Sequence, residues 1–193
     1  MRILLNDMEK SKALEKIAHD IQRCKVCKKN TSGKAVPGEG NPDAAVMFVG
    51  EAPGRKESET GRPFVGRSGQ LLTILLSEIG VERKDVYITS PVKYYPGRRA
   101  PARKEIEHGK KHLLKQIDII QPELIILLGN TAIKALLKSK YQVTKIHGRI
   151  LEEEGQKYFV TFHPAAALRF KKILNLQKSD FSRLNTHIKE IIN

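Results

Sequence analysis

The stretch VMFVGEAPGRKESETGRPFVGRSGQLL, residues 46–72, contains the unit from which the fold can be inferred. It begins within an apolar, β-rich run, Ala45 to Val49, that ends in a Gly-and-Pro turn. A long, charged and glycine-studded loop follows, and a helical pattern begins at Ser68. A short apolar run bounded by turn residues is typical of a buried strand. The stretch therefore predicts a strand, an exposed loop and a helix, in that order.

The same alternation continues along the chain. Further β-rich runs are Val86 to Val92, Leu124 to Leu128 and Tyr158 to Phe162; helical patterns are Glu9 to Gln22, Ser68 to Ile79, Arg103 to Ile120, Thr131 to Leu137 and about Lys178 to Ile192. Residues 28–43 are predicted to be loop from their Gly, Pro and Asn content. Alternating strands and helices predict an α/β fold, with four strands in a mostly parallel sheet and helices on both faces. The length of 193 residues fits one domain of ordinary size, so we expect a single domain over residues 1–193.

Polar and glycine-rich segments follow each of the four predicted strands: GEAPG, SPVKYYPGRRAP, LGNTA and FHPAAALR. Ligands of parallel α/β sheets bind beyond the carboxyl ends of the strands, which meet at one edge. Glu51 and His163 are therefore candidates for one functional site, with Phe64 in the intervening loop. The alternative for Glu51 is a surface carboxylate in a turn, and that for His163 is a structural histidine. The alternative for Phe64 is an apolar residue that anchors the loop to the core.

The loop after the first strand lacks the patterns that bind nucleotides. A phosphate loop has the pattern GxxxxGK[ST], and a dinucleotide site has GxGxxG. Here the segment Gly50 to Gly54 is followed by Arg-Lys-Glu, so neither pattern is present. The sequence therefore argues against a nucleotide-binding loop at this position.

The charge of the chain favours a polyanionic partner. Lys and Arg total 35 against 21 Asp and Glu, a net charge of +14. Such an excess suits nucleic acid, because neutralising phosphates releases counterions; the alternative is a lysine-rich surface adapted for solubility or high temperature. No apolar run is long enough to span a membrane, and the N-terminus lacks a secretory pattern. With two cysteines and no disulfide framework, we expect a cytoplasmic location.

Four motifs resemble those of the family 4 uracil-DNA glycosylases, within the uracil-DNA glycosylase superfamily. They are GEAPG at 50–54, GRPFVG at 61–66, YIT-x-x-VK at 87–93 and HPAAALR at 163–169. The resemblance implies a three-layer α/β/α sandwich around a four-stranded parallel sheet. It also implies a monomeric, monofunctional repair enzyme that flips uracil, or a related deaminated base, out of DNA and hydrolyses the N-glycosidic bond to leave an abasic site.

The resemblance also implies roles for individual residues. Glu51 matches the carboxylate that positions water and supports the cationic sugar, and His163 the histidine that hydrogen-bonds the O2 atom of uracil. Ala52 matches a residue whose backbone contacts the base, Glu57 a further acidic residue near the site, and Phe64 the aromatic that stacks on the base. The implied DNA contacts are insertion by Ala165, Ala166, Leu168 and Arg169, and phosphate binding by Lys93, Arg98, Arg99 and Arg103.

Position 90 departs from the family pattern. The family has Asn after YIT, and its amide reads the edge of uracil, whereas this chain has Ser90. A serine hydroxyl is shorter and donates one hydrogen bond against two from an amide. Ser90 therefore keeps open the excision of a different deaminated base, and also a member that binds DNA with altered or lost catalysis. A small-molecule enzyme of another class is a separate alternative.

The cysteines are the second departure. The family holds a 4Fe–4S cluster with four cysteines, but here only Cys24 and Cys27 match. The third position is Tyr94 and the fourth falls near Gly109. Two thiolates are too few for ordinary cluster ligation.

Two histidines lie beside the lost fourth position. His108 and His112 are one helical turn apart on one face. Together with Cys24 and Cys27 they could form a Cys₂His₂ zinc site. The alternatives are a vestigial CxxC with solvated histidines and, less consistent with the surrounding pattern, a redox CxxC.

Overall fold

The computed structural model describes residues 5–137 and 141–192, which form a three-layer α/β/α sandwich. The elements in chain order are α1 (Asp7–Arg23), α2 (Lys25–Lys28), β1 (Glu39–Gly40), β2 (Val46–Val49), α3 (Arg55–Thr60), α4 (Arg67–Glu78), β3 (Tyr87–Thr89), α5 (Arg103–Ile120), β4 (Leu124–Leu128), α6 (Asn130–Leu136), α7 (Val143–Ile146), β5 (Arg149–Glu153), β6 (Gln156–Thr161), α8 (Pro164–Ala167) and α9 (Lys171–Ile192). None of these helices combines the length and the apolar character needed to cross a membrane.

The four predicted strands form the parallel centre of the sheet. The strand order is β1-β3-β2-β4-β6-β5, and β3, β2, β4 and β6 all run parallel. The sheet has six strands rather than four, because an antiparallel strand is added at each edge. The sequence hides both: β1 has two residues, and β5 is partly exposed, so neither gives an apolar run. Strand β5 joins β6 through a tight turn at Glu154 and Gly155, both with positive φ.

Each face of the sheet carries its own apolar core because alternate side chains of a strand point to opposite faces. Met47 and Ile125 belong to one core, together with Leu113 of α5. Their neighbours Phe48 and Ile126 belong to the other, which includes residues of α4 and α9. These side chains are all fully buried. The two cores fix the sheet between helical layers. Because the central strands are parallel, their carboxyl ends share one edge.

The predicted helices are confirmed, and their ends shift by at most two residues except in α9. The largest shift is in α9, which begins at Lys171 rather than near Lys178. The additional turns include Ile173 and Leu176, whose partly buried side chains pack against the apolar core. Helix α1 begins at a capping box, in which Asn6 and Glu9 each accept a hydrogen bond from the other's backbone amide.

Lys93 is buried, which contradicts its predicted contact with DNA phosphate. Its side chain is 1% exposed, and Nζ donates to the Pro37 carbonyl at 3.0 Å, Thr89 Oγ1 at 2.8 Å and Gln116 Oε1 at 2.9 Å. Burial lowers the pKa of Lys93 from 10.5 to about 7. The lysine thus ties the end of β3 to α5 and to the segment before β1, and it has no access to a ligand.

This burial predicts a pH-dependent contribution to stability. Between pH 7 and 10.5 the unfolded chain binds a proton at Lys93 that the folded protein has largely lost. Stability rises with pH wherever the unfolded state binds more protons. Relative to Lys93→Met, the free energy of unfolding of the wild type should therefore rise across this window, by at most ~1.4 kcal/mol per pH unit. Urea titrations at pH 7, 8 and 9 measure it, with the exposed Lys104→Met as the control. Parallel pH profiles for wild type and Lys93→Met would contradict the assignment.

Candidate active site

A cavity of about 320 Å³ opens at the carboxyl-terminal edge of the parallel strands. Its lining includes Ala52 and Glu57 from the segment after β2, Phe64 from the next loop, Ser90 after β3 and His163 after β6. Its volume is at the small end of the range of roughly 300–1,000 Å³ for ligand pockets. Five predicted residues from four segments of the chain therefore meet around one cavity, as the shared strand edge requires.

The loop that carries Phe64 is fixed from two sides. Phe64 has a φ of 51°, in the left-handed region that bulky residues rarely occupy. Glu57 Oε1 accepts hydrogen bonds from the Val65 amide at 2.9 Å and the Gly66 amide at 2.8 Å. The Arg83 guanidinium donates to the carbonyls of Pro63 at 2.9 Å and Phe64 at 3.2 Å. The unfavourable backbone conformation therefore persists because charged groups satisfy the polar atoms on both sides of Phe64.

Two glycines provide the space for Phe64. A Cβ at Gly69 of α4 would lie 1.8 Å from the Phe64 carbonyl oxygen, and a Cβ at Gly50 would lie 2.6 Å from Cζ of the ring. Any larger residue at either position would displace the aromatic. The Phe64 ring consequently reaches across the end of β2, where its centroid lies 5.6 Å from that of His163 with 32° between the planes.

His163 presents a neutral imidazole with a defined tautomer. Its Nδ1 accepts a hydrogen bond from the Ala165 amide at 3.1 Å, so the proton of the neutral ring is on Nε2. Burial lowers the pKa of His163, and the nearby carboxylates of Glu51 and Glu57 oppose that shift only in part. Near neutral pH, Nε2–H is therefore an uncharged hydrogen-bond donor beside the cavity.

Glu51 is held by a residue that the sequence motifs did not identify. Thr131 of α6 donates a hydrogen bond from Oγ1 to Glu51 Oε2 at 2.8 Å. Glu51 directly precedes Ala52, which lines the cavity, and its carboxylate acts electrostatically on His163; Glu51 is not itself among the lining residues. Thr131 lies in the LGNTA segment after β4, so its position at the strand edge was its only signal in the sequence.

Ser90 is buried at the cavity wall, and its hydroxyl is committed to the backbone. Its Oγ donates to the Val92 carbonyl at 2.8 Å, and the residue is 6% exposed. The oxygen lone pairs are then the polar groups that Ser90 can offer to a ligand. This chain therefore offers an acceptor rather than a donor at the position where the family pattern has an amide.

The family assignment follows from comparison of the whole chain. A family model described as the uracil DNA glycosylase superfamily matches residues 37–189, which include both cores and every cavity residue named above. The chain belongs to the uracil-DNA glycosylase superfamily. The resemblance inferred from four short motifs is thus confirmed over most of the sequence.

Individual relatives agree with the superfamily match. The chain is 41% identical over 183 residues to a type-4 uracil-DNA glycosylase from Sulfurisphaera tokodaii, with 89% of this chain and 83% of the relative covered. It is 38% identical to a type-4 uracil-DNA glycosylase from Thermotoga maritima, with 92% and 95% covered. A type-5 uracil-DNA glycosylase from Pyrobaculum aerophilum is 31% identical, with 69% and 66% covered.

Cations line the mouth of the cavity, but they differ from Arg98 and Arg99, which were predicted to contact DNA. Arg98 is exposed, whereas both terminal nitrogens of Arg99 bind the Glu105 carboxylate, at 2.7 and 2.6 Å. The side chains at the mouth itself are Arg55, Lys56 and Arg67, all exposed. No sequence motif distinguished these three cations from the many others in the chain.

The segment after His163 forms an exposed apolar tip. Ala165 and Ala166 lie in the short helix α8, and the chain then turns outward at Leu168 and Arg169. Leu168 is 42% exposed and Phe170, which the motif does not include, is 59% exposed. Two exposed apolar side chains beside a cation have the composition of a segment that inserts between bases, although insertion itself stays a prediction.

Cys24, Cys27, His108 and His112 meet in a second cluster. One ligand atom from each lies within 4.8 Å of all the others. Burial raises the pKa of the Cys27 thiol to about 12 and lowers the pKa of His112 to about 4. The four side chains therefore form a group that could hold a metal ion between α2 and α5.

We expect Arg83 to be needed for the order of the loop that carries Phe64. Arg83→Met removes both hydrogen bonds to the loop carbonyls, each worth about 1.5–3 kcal/mol when the partner is charged. Amide hydrogen exchange at residues 64–66 should rise at least ~10-fold, while exchange in β4 stays unchanged. Arg62→Met is the matched control, since Arg62 binds Glu39 rather than the loop backbone. Equal loop protection in both variants would show that Arg83 does not hold Phe64.

Proposed function

We propose that this protein is a monofunctional DNA glycosylase that removes uracil, or a closely related deaminated base, and leaves an abasic site. The observation that carries the proposal is the meeting of the Phe64 ring and the neutral Nε2–H donor of His163 at one cavity of about 320 Å³. The names of the type-4 relatives support the same chemistry. The cavity suits a single base, which must leave the helical stack to enter it.

Base recognition follows from the cavity wall. The Phe64 face stacks on the extruded base, an interaction worth roughly 1–3 kcal/mol. His163 donates from Nε2 to a carbonyl oxygen of the base, assigned as O2. Ser90 Oγ accepts from the ring N–H, because its own proton is bound to the Val92 carbonyl. A base with carbonyl oxygens and a ring N–H fits this pattern of donor and acceptor.

Bond cleavage separates charge, and the site has a group for each charge. As the C–N bond breaks, the electron pair leaves with the base and positive charge develops on the sugar. The hydrogen bond from His163 stabilises the anionic base, and the Glu51 carboxylate stabilises the cationic sugar and orients the water whose oxygen bonds to the sugar carbon. A preorganised donor of this kind is worth about 3–4 kcal/mol. These steps use the side chains of His163 and Glu51 together with one water molecule.

The proposed reaction is hydrolysis, because neither the buried Lys93 nor Lys56 at the cavity mouth is prepared for covalent attack. Lys93 has a pKa near 7, suited to a nucleophilic amine, but its Nζ is bound to Pro37, Thr89 and Gln116. Lys56 at the mouth is exposed, with Nζ 3.8 Å from Glu59. Neither amine is prepared to attack the sugar, so strand cleavage is not part of the proposed reaction.

DNA is the proposed partner, with the net charge of +14 providing the attraction. The cations at the cavity mouth, Arg55, Lys56 and Arg67, contact phosphates around the extruded nucleotide. Leu168 and Phe170 lie on the exposed tip after His163 and fill the space that the base leaves. The protein is proposed to act as a monomer in the cytoplasm, a compartment in which its two free cysteines stay reduced.

A single-turnover assay tests the proposal. An oligonucleotide with one uracil is incubated with excess protein and then treated with alkali, which cleaves abasic sites. We expect cleavage with the wild type and a loss of about 10²–10³-fold in rate with Glu51→Gln, since a group that acts on transition-state charge is removed. Glu15→Gln, at an exposed position of α1 outside the cavity lining, is the control and should keep the wild-type rate.

The same assay separates the proposal from its alternative, a member that binds DNA without excision. That alternative is motivated by Ser90, which lacks the amide of the family pattern. Substrates with uracil, hypoxanthine, xanthine or a thymine mismatch are compared, and binding is measured in parallel. Retained binding with no abasic site from any substrate would overturn the proposed function.

A further inference from the structure

The cluster of Cys24, Cys27, His108 and His112 has the composition and spacing of a zinc site. Cys24 is the N-cap of α2 and Cys27 lies within that helix, in a C-x₂-C pattern. His108 and His112 lie one turn apart on α5, in an H-x₃-H pattern. Both spacings are typical of structural zinc sites. Cys24 and His108 are 84 residues apart in sequence, so only the fold brings the two pairs together.

The ligand atoms already lie close to one another. Cys24 Sγ is 3.1 Å from His108 Nε2, and the whole set lies within 4.8 Å. Tetrahedral zinc, with Zn–S of about 2.3 Å and Zn–N of about 2.0 Å, requires ligand separations of about 3.3–3.8 Å. Side-chain rotations that contract the set by about 1 Å therefore suffice. His112 Nδ1 is buried and has no hydrogen-bond partner within residues 5–137 and 141–192. An unpartnered buried nitrogen is expected beside a bound metal ion.

The same residues do not fit the 4Fe–4S cluster that the family resemblance implies. Tyr94, at the third ligand position, is 3% exposed and donates from Oη to the carbonyls of Ile21 and Gln22. At Gly109, beside the fourth position, a Cβ would lie 1.9 Å from the Pro91 carbonyl oxygen. A cysteine at either position would require the packing of α1 or α5 to change. Two thiolates remain, half the number that the cluster needs.

We propose that Cys24, Cys27, His108 and His112 bind one structural Zn²⁺, in place of the iron–sulfur cluster. Two thiolates neutralise the dication, and two neutral imidazoles complete the tetrahedron, so no net charge is buried. Soft sulfur with nitrogen donors selects zinc over magnesium or calcium. With no ligand position left for water, the ion has a structural role. It cross-links α2 to α5, which flanks the segment that carries Ser90 at the cavity wall.

Metal content tests this proposal independently of excision activity. The full chain, with no affinity tag, is expressed in medium supplied with both zinc and iron and purified without chelator. Elemental analysis should give one zinc per chain, with no acid-labile sulfide and no brown colour. Replacement by Co²⁺ should give the visible bands of tetrahedral cobalt together with sulfur-to-cobalt charge transfer.

Ligand variants and a matched control assign the metal to these residues. Cys27→Ser and His112→Gln should each lower the zinc content below about one-tenth per chain and abolish the cobalt spectrum. His19→Gln, exposed on α1, should retain both signals. Should a ligand variant fail to fold, chelator-treated wild type decides the matter: added Zn²⁺ should raise its melting temperature and Mg²⁺ should not. Folded wild type with iron and labile sulfide, with a Cys24–Cys27 disulfide, or with neither metal nor cobalt spectrum would overturn the proposal.

Discussion

The active site depends on the clamp that Glu57 and Arg83 place on the backbone around Phe64. A phenylalanine with φ of 51° has no intrinsic reason to keep that conformation. It is kept because a carboxylate satisfies two amides on one side and a guanidinium satisfies two carbonyls on the other. The apolar ring is thereby held over the end of β2 before a ligand arrives. Preorganisation of this kind lowers the entropic cost of binding.

The sheet supplies the other half of the site through its parallel centre. Helix α9 fixes the end of β6 from behind: Asp180 accepts from Thr161 Oγ1 at 2.7 Å, and Gln177 donates to the Phe162 carbonyl at 2.6 Å. His163 follows directly, so its imidazole leaves the sheet from a rigid base. Thr131 orients Glu51 in the same way from the end of β4. The groups that act on opposite charges of the reaction thus stand at the ends of β2 and β6, and β4, which leads to Thr131, lies between them.

The parts of the fold that depend on local sequence patterns could be predicted from the sequence. The buried parallel strands are continuous apolar runs, and the residues that follow them must share an edge, so the meeting of Phe64 and His163 could be expected. The edge strand β5 could not, because it is defined by pairing with β6 rather than by apolar residues. Lys93 was misplaced for a related reason: a lysine in a loop is usually solvated, and only the fold shows the three acceptors that bury it. Contacts distant in sequence, such as Arg83 with the Phe64 loop, carry no local signal at all.

The central claim is that one cavity receives an extruded base between Phe64 and His163. It is tested most directly by a crystal structure with DNA that contains a 2′-fluorinated deoxyuridine, whose glycosidic bond resists cleavage. The account predicts uracil inside the cavity, with its face on the Phe64 ring and its O2 atom within hydrogen-bonding distance of His163 Nε2. A uracil that stays stacked in the DNA, or that binds at another surface while the cavity remains empty, would contradict it.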